Sequence, residues 1–280
     1  HTYAMQSRHS IFNRYIKKIP FVFLQHGVIA LKRVDNFYGK GKKGGCDLFV
    51  VSTNKEKQTI VENFEYEPDE VINTGLPRWD VLKDKSQGKR EILIMPTWRN
   101  WLDSVPDKDF EESDYFRHYM GLLNSERLNQ ILEKYDLEVN FYLHAKFQEY
   151  ADTFKSISKR IHLISFGEVA VNEMLMRCRM LITDYSSVCW DILYQDKPSL
   201  FYQFDIEKYN EAHGSYIDME TELFGDRAAT QEQLLDYLEE TVQNDFHLKP
   251  EYEKMRGEYL QFKDHEHSRH ICEEIKKRFH

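Results

Sequence analysis

The chain has 280 residues, 41% of them hydrophobic and 14% aromatic, enough apolar material for two α/β units of ordinary size and too much for a disordered segment. Its formal net charge of −9 offers nucleic acid or an anionic membrane no overall attraction, so any anion site has to be local. Cys46, Cys178, Cys189 and Cys272 are far apart and show no C-x-x-C or short Cys/His spacing, which argues against zinc and against a secreted disulfide framework and for a reducing cytoplasm.

In chain order, five short and nearly continuous apolar runs predict buried parallel strands: 21–24, 48–51, 91–95, 139–143 and 180–183. Two shorter runs, 71–74 and 199–202, complete a βαβ alternation of the doubly wound kind. The polar stretch Lys83 to Arg90 separates the first strands from the second group and reads as an inter-domain linker. From about Thr230 the pattern is helical, with Leu234, Leu235 and Leu238 at core spacing, followed by Tyr259, Phe262, Ile271 and Ile275. No run approaches the ~20 apolar residues of a membrane span, and no signal peptide is expected. The chain begins at His1 in mid-pattern, so upstream sequence is expected to be missing.

Ligands of open α/β sheets bind beyond the carboxyl ends of the strands, which singles out the residues just after each run. These are Gln25-His26-Gly27, Pro96-Thr97-Trp98-Arg99, His144, and Asp184-Tyr185-Ser186-Ser187. His26, beside a glycine that allows close backbone approach, suits a general base, and equally a histidine that caps a strand end. His144 suits a phosphate donor or a structural role. Ser186 and Ser187 start a helix, where hydroxyls and unpaired N–H groups stabilise an anion, although serines there are also ordinary N-caps. No G-x-G-x-x-G or G-x-x-x-x-G-K-S/T is present, which removes the common dinucleotide and P-loop readings.

His162, His213, His265, His267, His270 and His280 read as solvated or helix-surface residues, and the H-x-H at 265–267 is too isolated to argue for a metal. A local basic cluster, Lys32, Arg33, Lys40, Lys42 and Lys43, lies among four glycines. It reads either as a solvated loop or as an attractor of anionic polymer or lipid headgroups, at about 1 kcal/mol per cation near an anionic membrane.

The run 181–188 (LITDYSSV), with Lys197-Pro198, Phe201-Tyr202 and Asp205-Ile206-Glu207-Lys208-Tyr209, resembles the C-terminal signature of the CDP-glycerol glycerophosphotransferases of teichoic acid and capsule synthesis. Three more blocks are similar to that family in order: Gln25-His26-Gly27 with Leu31-Lys32, Gly75-Leu76-Pro77-Arg78-Trp79-Asp80, and Pro96-Thr97-Trp98-Arg99. One departure is Ala212-His213-Gly214-Ser215-Tyr216, where the family commonly has Arg before the glycine.

The resemblance implies a GT-B fold: two Rossmann-like doubly wound α/β domains facing a cleft, the N-terminal one incomplete. The division it suggests is 1–85 for the acceptor side, 89–245 for the CDP-donor side, and 246–280 for C-terminal helices packing back on the first. The implied reaction moves glycerol phosphate from CDP-glycerol to an acceptor hydroxyl and releases CMP. His26 and His144 are then catalytic, His26 as the base. Thr97, Arg99, Asp184, Ser186 and Ser187 hold donor and phosphates, and Gly27, Lys32, Arg78 and Asp205 are further candidates. No cofactor and no metal are implied; the partners are a CDP-activated donor and an anionic polymer or lipid-linked acceptor, with no nucleic acid. The setting is cytoplasmic, with peripheral contact at the inner face of the membrane as an extension. CDP-ribitol, a nucleotide sugar used by a GT-B glycosyltransferase, and a silent polymer-binding module remain the alternatives.

Overall fold

Each of the seven apolar runs contains a strand in the structure, a computed structural model that describes residues 19–279. In the first part of the chain, β1 (Val22–Phe23), β2 (Leu48–Val51) and β3 (Val71–Asn73) form a parallel sheet in the order β1-β2-β3. Every residue of β2 is buried, as a strand covered on both faces requires. Helix α1 (Asn54–Phe64) begins where Thr53 Oγ1 accepts the Glu56 N–H at 2.9 Å, and it packs Ile60 and Phe64 against Phe49 and Val71.

The second sheet follows from β4 (Glu91–Ile94), after which come α2 (Asp114–Leu123), α3 (Glu126–Lys134) and β5 (Glu138–Tyr142). Next are β6 (Ile161–Ile164), α4 (Val171–Arg177), β7 (Met180–Thr183), α5 (Val188–Tyr194) and β8 (Ser199–Tyr202). Helix α6 (Ile206–His213), β9 (Arg227–Ala228) and α7 (Gln231–Gln243) complete it. All six strands are parallel, in the order β6-β5-β4-β7-β8-β9. The chain therefore winds outward from β4 to β6, then restarts on the other flank of β4 with β7. That reversal makes the β4/β7 junction the topological switch point, where such sheets bind ligands.

Two strands escape the apolar-run criterion for physical reasons. β6 lies at the sheet edge and carries the exposed His162 and Leu163, so its run is broken. β9 is only two residues long.

The fold divides into two compact units, one of residues up to Val81 with His213–Ile217 and everything from Gly257, the other of Leu82–Ala212 with Asp218–Arg256. The polar stretch after Leu82 is held against the second unit. Lys85 N–H donates to Met176 O at 2.9 Å, Lys85 Nζ pairs with Glu173 at 2.7 Å, and Ser86 is buried. Lys197, buried among the family-like residues, donates to Leu175 O and Met176 O at the end of α4 and pairs with Asp84 at 2.9 Å. Residues 246–256 stay in the second unit as well, through Tyr252 OH to Asp226 at 2.8 Å and Arg256 to Asp196 at 2.5 Å.

The last helix, α8 (His267–Phe279), belongs to the first unit and lays Ile271 against Leu48, Val50 and Ile72. Its start corrects the reading of His267 as a solvated residue. His267 is fully buried, with Nδ1 2.9 Å from Thr74 O and its ring against Trp79. Asp80 caps the helix by accepting the N–H groups of His267 and Ser268 at 2.7 and 2.9 Å, a carboxylate at the positive end of the helix dipole. Gly75 makes room for this packing: its φ is +77°, and a Cβ there would stand 2.0 Å from His267 Nδ1. His280 lies outside the described residues.

Gly75→Ala is expected to cost the 1–2 kcal/mol of a left-handed alanine, ~1–2 by backbone alone, plus displacement of His267. Gly88→Ala is the control, since Gly88 also has positive φ (+72°) but nothing within 4 Å of its would-be Cβ. Denaturant titration and limited proteolysis should show Gly75→Ala less stable than the control and newly cleaved near residues 260–266. Equal behaviour of the two would mean that α8 does not depend on this contact.

Candidate functional site

At the switch point the ends of β4 and β7 are tied together. Thr183 Oγ1 donates to Met95 O at 2.7 Å, Met95 N–H to Ile182 O at 2.9 Å, and Thr97 N–H to Asp184 Oδ1 at 2.8 Å. Asp184 also accepts Tyr185 N–H at 2.6 Å and Tyr119 OH at 3.1 Å.

Arg99 is the centre of this arrangement and is fully buried. Its Nη1 stands 2.9 Å from Asp184 Oδ2 and donates to Thr97 O at 2.6 Å. Its Nε and Nη2 form a two-point contact with Asp205, at 2.7 and 3.0 Å. Five aromatic rings, of Trp101, Tyr115, Tyr185, Phe204 and Tyr209, lie within 6.0 Å of its Cζ. Burial alone would lower the guanidinium pKa, but the Asp184 and Asp205 charges overcome it and raise the value well above the ordinary one. These partners occupy the guanidinium that the sequence reading assigns to a phosphate. Its fork is matched to Asp205, and Asp184, also fully buried, is its counter-ion. Asp205 likewise serves the arginine, and receives Tyr185 OH at 3.1 Å.

Other hydroxyls of the switch point remain available. Thr97 Oγ1 has no hydrogen-bond partner among the described residues. Ser187 is the N-cap of α5 but makes no side-chain cap bond, and Ser186 Oγ receives only a long contact, 3.5 Å, from Val188 N–H. Both serines are half-buried, so the ordinary capping role does not account for them. His144 follows β5 and accepts Lys146 N–H through Nδ1 at 3.2 Å, starting a 3-10 turn over Ala145–Thr153. Its ring centroid is 6.1 Å from that of Trp98, and Lys146 Nζ is 5.2 Å from the Trp98 centroid. The second unit thus brings Thr97, Ser186, Ser187 and His144 to the carboxyl ends of adjacent strands β5, β4 and β7.

In the first unit His26 follows β1 on a turn and is exposed, while Gln25 and Gly27 beside it are buried. Arg78 donates to His26 O. Partial desolvation by the surrounding protein, then the Arg78 charge, lowers the imidazole pKa from its ordinary 6.5, so the ring is neutral at neutral pH and able to take a proton. Lys32 is half-buried, and burial lowers its pKa. Of the basic cluster, Lys40 pairs with Glu70 at 2.7 Å and Arg33 contacts Asn63 at 3.1 Å, while Lys42 and Lys43 are exposed. The departing segment 213–217 has a structural role: Tyr216 OH donates to Asp35 at 2.5 Å and accepts Val34 and Asp35 N–H, and Ser215 donates to Ala30 O at 3.0 Å.

Sequence reasoning missed Glu56. It is fully buried and accepts four donors: Gln25 Nε2, Ile29 N–H, Ser52 N–H and Ser52 Oγ–H, all within 2.6–2.8 Å. The available signal was Thr53-x-x-Glu56, a capping-box spacing directly after a strand. Among the remaining histidines, His162 sits 3.3 Å from Glu138 and His270 2.7 Å from Asp264. Asp264, Glu266 and His270 lie close enough to hold an ion, but on the surface. Among the described residues no helix is long and apolar enough to cross a membrane.

A parallel sheet wound from both flanks of β4 is the doubly wound architecture expected of a GT-B fold. The chain matches the model of CDP-glycerol:poly(glycerophosphate) glycerophosphotransferases over residues 4–277 and belongs to that family. It is 30% identical over 270 residues to the minor teichoic acid biosynthesis protein GgaB of Bacillus subtilis, covering 91% of this chain and 29% of that one. It is 28% identical over 211 residues to the teichoic acid poly(ribitol-phosphate) polymerase of Bacillus spizizenii, covering 70% and 32%. The chain therefore spans about a third of the length of either relative. The solved wall teichoic acid polymerase TagF shares the fold at 19% identity, with a TM-score of 0.66 over 90% of this chain and 66% of that one.

Arg99→Ala would leave two carboxylates buried without their cation, which is expected to destabilise the fold by about 3–5 kcal/mol. Arg99→Lys keeps the charge but not the planar fork, and should recover only part of that. Denaturant unfolding measures both. Unchanged stability with weakened CDP binding would return Arg99 to the phosphate role.

Proposed function

We propose that this chain carries the catalytic region of a transferase that moves glycerol phosphate from CDP-glycerol to a hydroxyl of a teichoic acid or capsule polymer. The observation that carries the reading is the set of hydroxyls at the switch point, Thr97, Ser186 and Ser187, not explained by the fold's own hydrogen bonding, in a chain of this family. The acceptor oxygen attacks the β-phosphorus, a new P–O bond forms, and the bond to the bridging oxygen breaks. CMP leaves with that electron pair, and the acceptor proton passes to His26 Nδ1 or Nε2. In this reading Thr97, Ser186 and Ser187 bind the donor, His144 stabilises phosphate charge and His26 is the base, with Gly27 next to it in the chain and Lys32 a further candidate. The reading needs no cofactor or metal. CDP-ribitol is the second candidate donor, favoured by the similarity to a poly(ribitol-phosphate) polymerase. A lipid-linked acceptor would bring the protein to the inner face of the membrane.

CMP release from CDP-glycerol and CDP-ribitol, with calorimetric titration of CDP, UDP and GDP, tests the assignment. CDP should bind tightest; equal or tighter UDP binding would overturn the cytidine donor. His26→Ala should lower kcat by about 10²–10⁴-fold with donor affinity unchanged. Ser186→Ala with Ser187→Ala should instead weaken donor binding, since each hydrogen bond to a charged group is worth about 1.5–3 kcal/mol. The reverse pattern would exchange the two roles.

The pH profile adds an independent check. Because partial desolvation and Arg78 lower the His26 pKa, the acid limb of kcat/KM should fall below 6.5. Arg78→Gln removes the cation, so His26 should protonate at higher pH and the limb should move upward, while Arg78→Lys should move it less. An unmoved limb in Arg78→Gln would show that another group titrates.

A further inference from the structure

We infer that Glu56 is a positioning residue that fixes where the His26 imidazole stands, an inference that rests on His26 being the base. Glu56 lies at the junction of β2 and α1, on rigid buried elements, and its two carboxylate oxygens are divided between two tasks. Oε2 accepts Ser52 N–H and Ser52 Oγ–H at 2.7 and 2.6 Å, anchoring the carboxylate to the end of β2. Oε1 accepts Gln25 Nε2 at 2.8 Å and Ile29 N–H at 2.6 Å, and so grips the turn on either side of His26.

The turn would not hold this shape by itself. Gln25 has φ of +38°, in a region that disfavours any residue with a Cβ. Such a conformation persists only where the surroundings over-determine it, and these outliers cluster at functional sites. Gln25 is buried, and its Oε1 has no partner among the described residues, so the turn is not arranged to satisfy Gln25. What the arrangement does achieve is to send the next side chain outward: His26 is exposed between two buried neighbours. Arg78 adds a further tie to the turn by donating to His26 O. A buried carboxylate with four neutral donors and no cation among its hydrogen-bond partners is costly to keep unless its geometry is used. Burial raises the Glu56 pKa against the pull of the Ile29, Ser52 and Gln25 donors.

The test is a double-mutant cycle in the full chain, read by CMP release. Glu56→Gln retains volume but turns an N–H2 toward donors, and should lower kcat by about 10–100-fold, the size of effect of an ångström-scale misplacement, with donor KM within about two-fold. In a His26→Ala background the same change should alter residual turnover by less than about two-fold, because there is no imidazole left to place. An equal loss in both backgrounds would overturn the inference. If His26→Ala alone left kcat unchanged, the base assignment would fail first and the inference with it, a distinguishable result. Gln25→Gly covers the case in which Glu56→Gln does not fold. It accepts the positive φ, keeps the Ser52 and Ile29 bonds, and removes only the side-chain tie. It should lower kcat about 10-fold without lowering Tm; undiminished kcat in this variant would contradict the role.

Discussion

A single buried guanidinium sets the geometry of the second unit. A charge removed from water has to be paired and hydrogen-bonded, and Arg99 meets that demand by drawing in Asp184 from the end of β7 and Asp205 from the start of α6. Asp184 in turn fixes the backbone of Thr97 and Tyr185. The stacked pair Tyr185 and Tyr209, with ring centroids 3.6 Å apart, closes over the cation. Because these side chains satisfy one another, Ser186, Ser187 and Thr97 are left with capacity toward a ligand. In the proposed reading the ion pairs lie one layer beneath the chemistry and fix the backbone that carries the hydroxyls.

The first unit holds a buried charge of the opposite sign by hydrogen bonds instead of an ion pair. There a carboxylate, Glu56, is fully buried and, among the described residues, accepts N–H and O–H donors and no cation. Arg78 and Asp80 come from one short motif and do different work: Arg78 reaches the His26 turn, and Asp80 caps α8. A block of family-like residues can therefore be read as a catalytic support and a docking point at once.

The strands were legible in the sequence because parallel strands covered on both faces are written as continuous apolar runs, and β2, β7 and β8 are buried at every residue. The residues at the strand ends were legible from topology alone, since His26, Thr97, His144 and Ser186 each follow a run. What could not be seen were the partners. Arg99 reads as a phosphate ligand in the sequence, and the structure shows what the sequence could not: Asp205, 106 residues away, is brought against it. His267 looks like a surface residue of a polar helix until Gly75 is found to lack a Cβ where its ring sits. Glu56 lies between two lysines on an amphipathic helix, and nothing in its neighbourhood of sequence announces four donors. Each of these depends on long-range packing, which periodicity and spacing do not encode.

A crystal structure of the His26→Ala protein with CDP-glycerol tests most directly the claim that a buried ion cluster shapes the donor site and the hydroxyls bind the donor. The account predicts the diphosphate within hydrogen-bond distance of Ser186, Ser187 or Thr97, with Arg99 still held between Asp184 and Asp205. A structure in which Arg99 leaves both carboxylates to contact phosphate, or in which the diphosphate lies away from the ends of β4 and β7, would contradict it.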